Sequence, residues 1–186
     1  MDKENEQRNI LTLPTLAMRG LLVLPKMTLS FDIERPSSLQ AAEIAAGGDH
    51  LVFMSMQKNL EDDDPKPGEI RSIGTVCRVR QMLRQLNQGY SRLIVEGLYR
   101  AEAVRIEEKG GICYASVQER PDRKERIPEV RKEAAVRTCL EAFHEYLELT
   151  RDISSAQILP ILANPDTAYI AYFPTTAPCW SCPRRC

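Results

Sequence analysis

Residues 11–34 read LTLPTLAMRGLLVLPKMTLSFDIE, and the pattern inside them decides the architecture. Leu11, Leu13 and Leu16 give the first part strand character, before a turn at Arg19-Gly20. Leu21, Leu22, Val23 and Leu24 form a short apolar run that Pro25 ends. Leu29, Phe31 and Ile33 then alternate with Ser30, Asp32 and Glu34, the two-residue period of a half-buried strand.

Working outward, Pro36 suits the first turn of a helix. Leu39, Ala42 and Ala46 recur at helical spacing, and Gly47-Gly48 ends that helix. Residues 50–57 (HLVFMSMQ) read as a strand. Residues 58–68 (KNLEDDDPKPG) carry prolines, a glycine and adjacent acids, so they predict a loop. Residues 70–85 form a long strand with Ile73, Val76 and Val79 as buried candidates, and Asn87-Gln88-Gly89 is a hairpin signal. Residues 90–96 return, residues 98–107 form another strand, and Gly110-Gly111 turns into residues 112–118. Short strands spaced by turns, with one early helix, predict an α+β fold built on a compact β-barrel or curled antiparallel sheet over residues 10–120.

After a charged linker at 121–127, residues 128–171 predict the start of a small helical subdomain. Pro128 opens a helix to about Thr150, and Val136, Leu140, Phe143 and Leu147 form an apolar stripe on it. One such helix cannot bury its stripe alone. Residues 154–163 predict a second helix limited by Pro160, and a third starts near Asp166. Residues 1–9 (MDKENEQRN) predict a disordered leader without the apolar core of a secretory signal. Residues 172–186 (YFPTTAPCWSCPRRC) have no periodicity and hold half of the six cysteines. They read as a shifted reading frame or a cloning scar. The competing reading is zinc on Cys179, Cys182 and Cys186, but a lone CxxC lacks the second knuckle of a zinc ribbon.

Net charge is −1, with 25 Lys+Arg against 26 Asp+Glu, so no field of one sign is available to hold nucleic acid along a groove. No run approaches the ~18 consecutive apolar residues that span a bilayer. The expected setting is cytoplasmic, with no nucleic-acid or membrane partner. Cys77, Cys113 and Cys139 then read as reduced thiols in apolar patterns. There is no GxxxxGK[ST] to cradle a triphosphate, no GxSxG elbow, no HExxH and no DxDxDG loop. The acidic run Glu61-Asp62-Asp63-Asp64 reads as a solvated loop and His144 as a helix flank. No catalytic residue, metal or cofactor is expected, and the chain is not expected to be an enzyme by itself.

Several blocks carry a family resemblance: Leu13-Pro14, Arg19, Leu24-Pro25, Arg35, Gly74-Thr75, and Val95-Glu96-Gly97-Leu98 with Arg100-Ala101. Over residues 11–171 the chain resembles the amino-terminal domain of the Lon family of ATP-dependent proteases. Gly20 stands where that family usually has aspartate, and Lys26 where glycine follows the proline. The resemblance implies a PUA-like β subdomain followed by a helical subdomain. It implies a substrate-recognition and assembly role, with unfolded or damaged proteins as partners, self-association of the chain, and a hexamer in full-length relatives. The ATPase and the Ser–Lys protease region of such proteases have no counterpart in these residues, so the chain reads as a fragment.

A receptor for unfolded chains presents apolar surface not consumed by its own core. Leu21, Leu22, Val23, Leu24 and Met27 are candidates in the turn segment, and Met54 and Met56 offer flexible thioethers on a strand. Ordinary core packing is the competing reading for each. The alternative functions are a free-standing Lon-N-type adaptor or regulatory interaction domain, and an RNA-binding PUA-type module. Near-zero net charge and 6% aromatics weigh against the second of these.

Overall fold

The computed structural model describes residues 10–84, 90–121 and 127–149. Its strands are β1 (Leu11–Met18), β2 (Thr28–Ile33), β3 (Leu51–Gln57), β4 (Ile70–Arg84), β5 (Ser91–Lys109) and β6 (Ile112–Glu119). They form one sheet in the order β2-β5-β4-β3-β1-β6, and β6 also pairs with β5. Helix α1 (Pro36–Gly47) packs against β1, β3, β4 and β6. Helix α2 (Glu129–Leu149) follows. The chain divides between Pro121 and Asp122 into two compact units, the first holding the sheet and α1, the second holding α2.

The fold is the expected α+β with an early helix and a curled, mainly antiparallel sheet, and two details of that expectation are corrected. The sheet is curled and mixed, not a true barrel. β5 lies beside β2 along its first half and reaches β6 only from Ala101 onward, so β2 stays outside the curl as an edge. β1 also runs parallel to β3, with Leu16 beside Met54 and Met18 beside Met56. Parallel neighbours need a long connection, and β2 with α1 supplies it. The curl itself is local: the ladders skip Leu98 and Val104 in β5 and Arg80 in β4, and each such bulge bends its strand.

A third correction concerns β5. The sequence predicts two strands separated at Gly97, whereas Ser91–Lys109 is one continuous strand. Gly97 keeps its place in the ladder opposite Cys77. Its missing side chain admits another piece of backbone instead of breaking the strand.

One face of the sheet carries a cluster of Leu13, Phe53, Val76, Ala101, Ala103, Ala115 and Val117. Val76 and Val79 are buried as expected, but Ile73 is 41% exposed. Gly74 lies against this cluster, where a Cβ would meet the Phe53 ring at 2.7 Å and also the Met54 carbonyl. α1 buries Ala41, Ala42 and Ala45, while Leu39 and Ala46 are half-buried. Small side chains let a helix sit close to a sheet, and a Leu-led face would hold it farther off. Among the described side chains of α2, Val136, Cys139 and Leu140 are the half-buried ones, the spacing of one helical stripe. Phe143 and Leu147 of the expected stripe, the Asn87-Gln88-Gly89 turn, the later helices and the Cys-rich tail lie outside the described residues or side chains. Either side of that turn, β4 and β5 pair antiparallel with Arg84 opposite Ser91.

Candidate functional site

Residues 20–27 leave β1 and cross the sheet before entering β2. Their backbone is pinned at three points. The Thr75 hydroxyl donates to the Val23 carbonyl at 2.6 Å. Lys26 N–H donates to the Gly97 carbonyl at 2.7 Å, and Gly97 N–H donates to the Met27 carbonyl at 2.8 Å. Met27 N–H closes a turn onto the Leu24 carbonyl at 3.2 Å. Proline at the second position and a positive φ at the third are the type II pattern, and Lys26 has φ 66°. Glycine would suit that conformation without a Cβ penalty. The backbone lies so close to β5 that a Cβ on Gly97 would meet the Leu24 carbonyl group, its carbon at 2.9 Å, and Pro25 Cα at 3.3 Å.

This crossing sorts the candidate residues. Leu21, Val23 and Met27 turn into the core at 9%, 2% and 6% exposure, and Met54 beneath them is 2% exposed. Met54 shares its face with Leu16 on β1 and Thr75 on β4 by register. These four side chains are therefore consumed by the fold in this conformation. Leu22 is 40% exposed, and Leu24 and Met56 are half-buried. Among the candidate residues, those that keep apolar surface available for contact are Leu22 and Leu24 on this segment and Met56 on β3.

The second loop, residues 58–68, is held by side chains. A bulge after Ser55 brings Gln57 opposite Ile70. Gln57 is 1% exposed, and its amide nitrogen donates to the carbonyls of Asn59 at 2.6 Å and Asp62 at 3.0 Å. Arg35 donates to the Gln57 amide oxygen at 2.9 Å and to the Ala17 carbonyl at 3.2 Å. Arg19 donates to the Asp62 carbonyl and to the Asp63 carboxylate, both at 2.8 Å. That hydrogen bond, with the charge of the same guanidinium, holds the Asp63 carboxyl below its usual value. The acidic run is thus a clamped loop, held by Arg19 and Gln57, with Arg35 fixing the Gln57 amide.

Two of the cysteines have their thiols shifted by their surroundings. Burial pushes the Cys77 thiol up, so it stays protonated and unreactive. Burial also raises Cys113, with the Glu108 carboxylate adding to the effect. Among the described residues no group of three His, Cys, Asp or Glu is placed to hold a metal ion. The cleft beside Arg35, Ser38 and Cys113 has a cavity volume of about 20 Å³, room for about one water molecule. Among the described residues no helix is long and apolar enough to cross a membrane.

The family described as the ATP-dependent protease La (LON) substrate-binding domain matches residues 12–177. The chain belongs to this family. The match of this Lon substrate-binding domain continues beyond Ala171, where the resemblance read from the residues ends. Lon protease of Bacillus thuringiensis (strain Al Hakam) is 39% identical over 142 residues, covering 76% of this chain and 18% of that protein. Lon protease 1 of Bacillus subtilis (strain 168) is 37% identical over 144 residues, covering 77% and 18%. The Lon domain described here therefore spans about a fifth of the length of the curated relatives it matches. Two solved structures share the fold. The N-terminal domain of Mycobacterium avium complex Lon protease has a TM-score of 0.55 at 19% identity, covering 87% of this chain and 95% of that one. The Lon N-terminal domain protein from Xanthomonas campestris has a TM-score of 0.54 at 17% identity, covering 89% and 98%.

The blocks that carried the resemblance have physical roles here. Thr75 and Gly97 seat the crossing segment, Gly74 admits Phe53, Arg19 holds the acidic loop, and Arg35 fixes the Gln57 amide that reaches it. Reading by exposure alone missed Thr75, Gly97 and Gln57 as positioning residues. Their signal was a glycine inside a strand pattern and buried polar side chains, whose partners come from distant parts of the chain.

Proposed function

We propose that this Lon domain captures unfolded or damaged polypeptides for an ATP-dependent serine protease, through apolar contact at Leu22, Leu24 and Met56. The observation that carries this reading is Leu22, 40% exposed on a segment that hydrogen bonds pin to the sheet. A large apolar side chain held outward on a seated backbone loses little entropy when a client covers it. Membership of a substrate-binding family supports the same reading. Affinity of one copy for an unfolded client is weak, because the client loses chain entropy on capture. A ring of copies, such as a hexamer, raises it through avidity.

The test is retention on the immobilised domain of a destabilised test protein against its native form. The unfolded form should be retained and the native form should not. Leu22→Asp should cut retention several-fold while leaving the denaturation midpoint unchanged. Equal retention of both forms, or of neither, would overturn the reading.

A further inference from the structure

We infer that the outer edge of β2 is a strand-addition site, and that its occupant is an extended segment of an unfolded polypeptide. This deepens the capture reading above and rests on it. Most of the sheet is paired on both sides. The curl brings β6 against both β1 and β5, and β3 and β4 lie between neighbours. β2 is different: its ladder with β5 runs unbroken from Thr28 to Ile33, and it ends the strand order with nothing paired on its far side among the described residues.

The register identifies which backbone groups face outward. Gly97 N–H donates to the Met27 carbonyl, so Met27 and Gly97 lie on the hydrogen-bonded step of the ladder. Antiparallel pairs alternate between bonded and open steps. Leu29, Phe31 and Ile33 therefore turn their backbone groups toward β5, and Thr28 and Ser30 turn theirs away. Natural edges are commonly blunted by proline, lysine or a bulge. TLSFDI contains neither residue, and its pairing shows no register shift. The next residue on the outward side, Asp32, has its carboxylate held by Arg92 at 2.8 and 3.0 Å, which lowers the repulsion an approaching strand would meet.

Backbone hydrogen bonding is indifferent to side-chain sequence, which suits a receptor for many clients. The edge is also continuous with the apolar contact surface, because the turn from Leu24 to Met27 feeds directly into Thr28. A second copy of this chain fits less well. A six-residue edge with exposed Thr28 and Ser30 is small against the roughly 1,200 Å² that a stable protein pair buries.

The experiment uses the full chain and a soluble peptide of alternating valine and threonine with terminal lysines. Amide hydrogen exchange is followed at Thr28 and Ser30 with and without peptide, and affinity is measured by titration. Both amides should exchange fast in the free protein and slow on binding. Ser30→Pro removes an outward N–H while sparing the ladder to β5, so it should fold and bind the peptide about tenfold more weakly. If that variant fails to fold, peptides N-methylated at alternate residues carry the same test on the unaltered protein. One methylation phase should abolish binding and the other should retain it.

Full peptide affinity in folded Ser30→Pro, equal binding of both methylated peptides, or unchanged exchange at Thr28 and Ser30 would overturn the proposal. So would a dimer that Ser30→Pro dissociates, since a second copy would then hold the edge. If the destabilised test protein is still retained in any of these cases, the edge proposal fails and the capture reading stands. If the test protein is not retained at all, both fall.

Discussion

Residues 20–27 and residues 58–68 both leave the sheet and return to it, and they are held by different physics. The first is seated by shape and by backbone: Gly97 leaves room for it, Thr75 bonds its carbonyl, and three buried apolar side chains face down. The second is held by side-chain polarity: Gln57 and Arg19 reach its carbonyls, Arg19 also reaches the Asp63 carboxylate, and Arg35 fixes the Gln57 amide. Close packing has no tolerance for an added atom, and salt and pH do not alter it. An exposed ion pair stabilises little and is screened by salt. The apolar loop should therefore behave as part of the core, and the acidic loop as a separable attachment.

The largest effect expected is from Gly97→Ala. The new methyl group would meet Leu24 and Pro25 backbone, which cannot rotate away. A loss of about 3 kcal/mol in folding free energy is expected, the upper end of overpacking costs, read as a lower denaturant midpoint. A loss below the error of that measurement would mean that the segment is not seated on β5. Next comes Thr75→Val, which keeps the shape and removes the donor to the buried Val23 carbonyl. About 2 kcal/mol should be lost by chemical denaturation, the usual cost of an unsatisfied buried acceptor.

Lys26→Gly should act in the opposite direction. With φ 66° at Lys26, glycine relieves a left-handed strain of about 1 kcal/mol. A raised melting temperature checks it, and the gain should survive high salt. Among these changes the smallest effect on global stability is in the acidic loop. Asp63 is held below its ordinary value of 3.8 by Arg19. Its tie to Arg19 is therefore complete above that pH and is lost as pH falls through the lower folded value. Amide exchange in residues 58–68 should accelerate on that acidification and in Arg19→Ala at neutral pH. Exchange at residues 20–27 should not follow. Parallel changes in both loops would erase the distinction between them.

Much of the first unit was legible because its signals are local. Pro36 and Gly47 mark the limits of α1, and the alternation of Leu29, Phe31 and Ile33 marks β2. The errors came where a local signal had a distant cause. Gly97 looks like a strand break and is a seat for backbone seventy residues earlier in the chain, near Leu24 and Pro25. Ile73 sits in an apolar pattern and is exposed where β4 carries extra residues against β3, between Ile70 opposite Gln57 and Gly74 opposite Ser55. The apolar residues of the 20–27 segment look alike in sequence, yet Leu21, Val23 and Met27 are buried while Leu22 is 40% exposed.

Composition, periodicity and motif blocks by themselves determined the element types, the family and the absence of familiar nucleotide, protease and metal motifs, since each is carried by residues close together in the chain. Tertiary structure alone decided that β1 runs parallel to β3, that β2 ends the strand order among the described residues, and that Leu22 faces out while Leu21 and Val23 face in. Those outcomes depend on strand order and on the close approach of backbone segments far apart in sequence. A period of two or of three and a half cannot encode either, because it records which side a residue lies on and not what lies on that side.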